Sequence, residues 1–218
     1  MSAVRPQANP RPYAKSERRE ETQRRNREQL LSAGWAVFST VGIDGATARD
    51  IISLSGLSPG TFYNYFGTKE AVFEAVLQDL LLQIRAVTSE ARARGYGMEE
   101  KLLLSYEALF QHVLSVDGGW RFFELNGRHV RDHLQRTESA LSIIKDLTND
   151  LTRELSCESV TPNELSMMAA LIFANGAEAL CLSSHTAKPD VQGLSRFMTR
   201  LMIHGIGSWT SHSAPPGR

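Results

Sequence analysis

Two helix-start signals ten residues apart, Ser58-Pro59 and Thr68-Lys69, bracket the segment PGTFYNYFG. Ser58 suits an N-cap, and Pro59 then stands at the first helical position, where its missing N–H is no loss. Gly67 stops the helix and Thr68 caps the next one, so Pro59–Phe66 reads as a very short helix. Into that helix the chain puts four aromatics within five residues, Phe62, Tyr63, Tyr65 and Phe66. With about 100° of rotation per residue, Phe62 and Phe66 share one face and can pack on what precedes them. Gly60, Thr61, Tyr63, Asn64 and Tyr65 are then left pointing outward or sideways. Two tyrosines and an amide are poorly used as core there, and well suited to touching a polar surface.

The preceding residues supply what that helix packs against. A helical pattern begins near Arg18, with Leu30, Ala33, Val37 and Val41 at helical spacing and Phe38 beside them. Val41-Gly42 is its expected end. Thr47 reads as the N-cap of a short helix over Ala48–Leu54, with Asp50 as a partial capping box. Ser55-Gly56-Leu57 is a tight turn. Two short helices joined by a glycine-containing turn are a helix-turn-helix unit, whose second helix enters the DNA major groove. Gly60 lets the backbone approach closely. Tyr63 offers a ring to a thymine methyl or base edge. Thr61, Asn64 and Tyr65 can hydrogen-bond phosphate oxygens, contacts that set register. Lys69, at the start of the next helix, brings a charge and free N–H groups. Arg24, Arg25 and Arg27 either clamp phosphates or are solvated.

The order of these residues resembles the N-terminal helix-turn-helix of the TetR family of transcriptional repressors. The resemblance is carried by GIDGATARDIISLSGLSPGTFYNYFGTKEAVFEAVL and covers about residues 20–80. It implies that Thr47 touches phosphate, that Arg49 reaches a base, and that Pro59, Gly60 and Tyr63 face base edges. The DNA-facing set is therefore Arg24, Thr47, Arg49, Ser58, Pro59, Gly60, Thr61, Tyr63, Asn64, Tyr65 and Lys69. Asn64 stands where a longer group is common in the family, which leaves the operator sequence open.

The rest of the chain reads as helix. A long helix over Lys69–Arg94 is followed by helices near Met98–Val116, Gly119–His133, Glu138–Leu155, Pro162–Ser183 and Val191–Gly207. Asp117-Gly118-Gly119 and Lys188-Pro189-Asp190 are turns. No segment sustains a period of two, so the expected class is all-α, with about nine helices. The expected organisation is a disordered arm over 1–17, a helix-turn-helix domain over 18–70, and a helical ligand-binding and dimerisation domain over 71–210. The tail Ser211–Arg218 reads as loose.

The resemblance implies that this second domain binds a small effector and forms a homodimer. Ala169, Ala170, Ala174, Gly176, Ala177 and Ala179 in Pro162–Ser183 permit close helix approach. With Phe197, Leu201, Gly205 and Gly207 in Val191–Gly207 they mark these two helices as the interface. Candidate cavity residues are Tyr106, Phe110, Val113, Trp120, Phe122, Phe123 and Leu147, with His112, Asn126 and Arg128 as polar contacts; Tyr106, Phe110, Trp120, Phe123, Asn126 and Arg128 form the expected ligand-binding set. The stretch GGWRFFELNGRHVRDHL is similar to the middle helix of fatty-acid-responsive members, which implies a fatty acid or acyl-CoA effector. Arg121, Arg128 and Arg131 then either meet the acyl-CoA head group or are solvated.

Composition narrows the alternatives. Hydrophobic residues make up 42% and charged residues 22%, a globular balance. Net charge is zero, yet residues 1–70 carry ten Lys/Arg against seven Asp/Glu, a mild basic bias at the DNA-facing end. Cys157 and Cys181 have neither disulfide nor metal spacing. His129 and His133 are four apart, but nothing completes a metal set, so they read as two histidines on a solvated face. Ser183, Ser184 and His185 lack a nucleophile elbow, and no phosphate-binding glycine loop is found. No catalytic residue, metal or cofactor is assigned. Met1–Glu20 has no apolar core, and Met167–Leu182 reads as too short and too polar to span a bilayer, so the expected location is the cytoplasm. Two rival readings are a helical enzyme and a helical protein–protein adaptor without specific DNA binding.

Overall fold

In a computed structural model of the chain, residues 12–134, 137–155, 160–183 and 189–205 are described, with side chains from Glu17 onward. The described residues form nine helices and no strand: α1 Pro12–Gly45, α2 Ala48–Ser55, α3 Pro59–Tyr65, α4 Lys69–Arg94, α5 Gly97–Ser115, α6 Gly119–Leu134, α7 Glu138–Glu154, α8 Pro162–Ser183 and α9 Val191–His204. The arm expected over 1–17 is already helical from Pro12; residues 1–11 lie outside the described residues, as do Cys157, Ser184, His185, Lys188 and the tail from 206.

Gly42 is not the end of α1. It breaks the helix at φ 70°, ψ 166°, after which the chain takes one further turn to Gly45. A β-carbon at Gly42 would meet Leu125 O at 3.3 Å, so both conformation and space call for glycine. The next two starts follow their capping residues. Thr47 and Asp50 form a reciprocal capping box on α2, and Ser58 Oγ accepts the Thr61 N–H on α3. Gly56, at φ 69°, closes α2 in the left-handed conformation and turns the chain into α3.

Leu30, Phe38, Ile51, Phe62 and Val72 are fully buried and hold α1, α2, α3 and the start of α4 together. This core continues into the rest of the chain through α6. Phe122 stacks on Trp35 of α1 at 4.6 Å and on Phe73 of α4 at 5.6 Å. Farther along, α4 is tied to α7 by ion pairs, Arg85–Asp146 at 2.7 Å and Arg92–Asp150 at 2.8 Å, while Lys101 of α5 pairs with Glu154.

α8 differs from its expectation. It is 22 residues long with a mean hydropathy of 1.6 in its most apolar stretch, which is long and apolar enough by length and composition to cross a membrane. In this fold Leu165, Ala169, Ile172, Gly176, Ala179 and Leu180 are buried against the other helices. Its opposite side leaves Met167, Met168, Leu171 and Leu182 exposed, and Phe197 of α9 is exposed as well.

Candidate nucleic-acid interface and internal cavity

α3 separates its aromatics as its helical phase dictates. Phe62 and Phe66 are buried, whereas Tyr63 is 60% exposed and lies edge-on to Phe62 at 5.2 Å. Tyr65 is half-buried and packs against the core. Pro59, Gly60 and Asn64 are exposed, and a β-carbon at Gly60 would have only Ser58 Oγ, at 3.9 Å, within contact range. These residues leave an open surface at the start of α3, and Arg49 on α2 is exposed as well.

Several candidate residues on this surface already have internal partners. The Ser58 and Thr61 hydroxyls are 2.9 Å apart. Thr47 Oγ1 donates to Asp50 at 2.7 Å, and the hydrogen bonds from the Thr47 side chain and backbone hold the Asp50 carboxyl below its usual value. Arg24 donates to both carboxylate oxygens of Glu21. Lys69 is half-buried and donates to Ile43 O at 2.7 Å and Ala46 O at 2.8 Å. It therefore ties the end of α1 to the start of α4. A lysine at a helix start signals a phosphate contact in sequence; its reach back to the carbonyls beyond a kink is visible only in three dimensions.

The junction between this unit and the remaining helices runs through α6. Asn126 is fully buried; its amide donates to Phe38 O and Phe122 O and accepts the Ile43 N–H. One turn farther on, His129 contacts exposed Asp44 at 3.0 Å. His133 lines a cleft with Glu70, Phe73, Glu74 and Asp132, and its buried Nε2 has no partner. The two histidines thus face α1 and α4, not open solvent. Among the described residues no three His, Cys, Asp or Glu side chains come together as a metal site.

An apolar cavity of about 60 Å³ lies among α4, α5, α6, α7 and α8. Leu77, Leu81 and Ile84 line it from α4, Tyr106 and Leu109 from α5, Phe123 and Val130 from α6, Ile143 and Leu147 from α7, and Ile172 and Phe173 from α8. Burial pushes the Tyr106 phenol up, and its hydroxyl donates to Ile172 O. Of the residues singled out from sequence, Tyr106, Phe123 and Leu147 are on this wall. Phe110 is buried behind Tyr106, stacked at 6.3 Å. Trp120 donates to Ser183 O, and the Asn126 amide is committed to α1 and α6. Arg121 and Arg128 are exposed, and Arg131 is paired with Glu178. Arg92 and Ser105, absent from the sequence reading, form the cavity's polar end. The signal for Arg92 is an arginine on the apolar face of a long helix.

Residues 30–76 match the family described as bacterial regulatory proteins, tetR family. The HTH-type transcriptional regulator UidR of Escherichia coli strain K12 is 33% identical over 127 residues, spanning 55% of this chain and 65% of that protein. BetI, an HTH-type transcriptional regulator of Vibrio vulnificus, is 25% identical over 134 residues, 53% of this chain and 68% of that protein. Among solved structures, the transcriptional regulator FadR from Bacillus subtilis in complex with stearoyl-CoA superposes with a TM-score of 0.67 at 21% identity, over 82% of this chain and 98% of that one. The fatty acid degradation regulator FadR from Bacillus halodurans gives 0.67 at 18% identity, over 83% and 96%.

Proposed function

The chain is a transcriptional regulator of the tetR family, and from that membership we propose that it is a cytoplasmic, homodimeric repressor that binds a palindromic operator and is controlled by a small apolar effector. The observation that carries the DNA-binding part is Tyr63, exposed on α3 while Phe62 beside it and Phe66 at the helix's end are buried. Gly60 beside it leaves open space for a DNA backbone or base edge. In this reading residues 18–70 are the DNA-binding domain and residues 71–210 the effector-binding and dimerisation domain.

The effector enters the cavity lined by Tyr106, Phe123 and Leu147. An acyl chain suits that wall, and the related FadR fold, solved with stearoyl-CoA, supports it. The cavity of about 60 Å³ is smaller than the roughly 150 Å³ apolar cavity that admits benzene. Effector entry therefore requires the walls to move, and α4, which lines the cavity and leads directly into the DNA-binding unit, carries that movement. A ligand that favours the expanded state shifts the spacing of the two recognition helices in the dimer. Coupling of this kind is typically about 1–3 kcal/mol and reciprocal.

The test is binding of the purified protein to the DNA flanking its own gene, at two salt concentrations, with unrelated DNA as competitor. Tight, competitor-resistant binding that weakens with salt supports the proposal. Absence of binding at any salt overturns it in favour of a protein–protein adaptor.

A further inference from the structure

Among the described residues, the wall of the internal cavity carries one charged side chain, Arg92 of α4. Arg92 is 4% exposed. Its Nε donates to Asp150 at 2.8 Å and its Nη1 to Ser105 Oγ at 3.3 Å. A guanidinium has five N–H donors, so these two bonds leave donor capacity at the cavity's polar end. Of the other polar groups on the wall, Ser105 Oγ accepts from Arg92. Tyr106 donates to Ile172 O, and Thr88 donates to Ile84 O within its own helix.

The charge at this end is balanced. Asp150, outside the cavity lining, neutralises Arg92 from behind, and the nearby Arg153 guanidinium, 3.7 Å from Asp150, is largely exposed. Bringing a carboxylate into this cavity adds a buried negative charge that no second wall cation compensates. A carbonyl oxygen adds none, and it accepts from a charged donor already desolvated and already aimed by Asp150 and Ser105.

We propose, resting on the reading that this cavity is the effector site, that Arg92 anchors the effector and that the group it anchors is an uncharged carbonyl, as in an ester or thioester, not a free carboxylate. The apolar remainder lies along Leu77, Leu81 and Phe123. Longer chains require the half-buried Leu109, Leu134 and Phe173 to swing aside.

The experiment is titration calorimetry of the full-length protein with methyl hexanoate and with hexanoate at neutral pH. The wild type is expected to bind the ester at least about tenfold more tightly. Asp150→Asn leaves the guanidinium charge without its carboxylate and is expected to narrow or reverse that preference. Equal or tighter binding of hexanoate by the wild type, or no binding of either compound, overturns the proposal. So does an ester preference unchanged in a folded Asp150→Asn protein. If that variant does not fold, the wild-type comparison decides alone. Operator binding measured on the same preparation separates the two ideas: losing it sinks the repressor reading, whereas a carboxylate preference with operator binding intact sinks only the Arg92 assignment.

Discussion

Asn126 Oδ1 accepts the backbone N–H of Ile43 at 2.7 Å, and Ile43 is the residue that follows the kink at Gly42. The kink takes that N–H out of the helical ladder, and a side chain from α6 satisfies it. On its other side the Ile43 carbonyl accepts from Lys69 at the start of α4. One peptide segment is thereby held by α6 and by the connecting helix α4. A shift of either helix is felt at the base of the helix-turn-helix unit.

Replacing Asn126 with Leu removes three hydrogen bonds and leaves the Ile43 N–H buried without an acceptor. An unsatisfied buried group costs about 1–3 kcal/mol, so a loss of about 2–4 kcal/mol is expected once the strained fit of Leu is included. Urea unfolding monitored by circular dichroism measures it. A change below about 1 kcal/mol would show that Asn126 does not brace the kink.

Tyr63 and Phe62 are neighbours with opposite environments, so their alanine variants should separate binding from stability. Tyr63→Ala is expected to leave stability within about 0.5 kcal/mol and to weaken operator binding by about 1–3 kcal/mol. Phe62→Ala empties a fully buried site and is expected to cost about 3–5 kcal/mol of stability. If Tyr63→Ala binds the operator as the wild type does, α3 does not read DNA through this face.

The helix-turn-helix was legible because local rules determine it. Thr47, Ser58 and Thr68 cap helices in the structure as their chemistry predicts, and the four-residue spacing of Phe62 and Phe66 buries both. The cavity was less legible because it is built by long-range packing. Aromatic residues single out Phe110 of α5 and Trp120 of α6, whereas much of the wall comes from leucines of α4 that look like ordinary core in sequence. Lys69 reads as a phosphate contact because it opens a helix, and Asn126 as a ligand contact because it is a polar residue among the aromatics of α6. Folding brings Ile43 to both.

Burial pushes the His112 and His133 imidazoles below their usual value of 6.5. At His133 the nearby Glu74 carboxylate partly opposes the shift. A depressed histidine pKa means that the unfolded chain binds more protons in the window below 6.5. Stability is then complete above about pH 6.5 and falls as pH drops toward the depressed values. Asp146 and Glu178, held low by Arg85 and Arg131, add a second loss only below the ordinary carboxylate range. Urea midpoints measured across pH should show the histidine step, and His133→Gln should diminish it. A flat profile between pH 7 and 5 would contradict the burial of both rings.

The two ion pairs joining α4 to α7 should differ in weight. Arg85–Asp146 is partly exposed, so Asp146→Ala is expected to cost about 0–1 kcal/mol. Arg92–Asp150 is buried, and Asp150→Ala strands a desolvated guanidinium, at about 3–5 kcal/mol. Thermal unfolding of the two variants at equal protein concentration gives the comparison; equal costs would mean that solvent reaches Arg92 in solution.

α8 leaves Met167, Leu171 and Leu182 exposed along one side, at 60%, 55% and 61%. Positions 167, 171 and 182 share a helical face, and Phe197 of α9 adds a fourth large apolar group. In the proposed dimer this side meets its copy, and an acidic residue there places like charges together across the two-fold axis. Leu171→Glu is expected to give a folded monomer in analytical ultracentrifugation, with helicity unchanged. Operator affinity should fall steeply, because a single recognition helix cannot span two half-sites about 34 Å apart. A Leu171→Glu protein that remains dimeric and binds the operator normally would place the interface elsewhere.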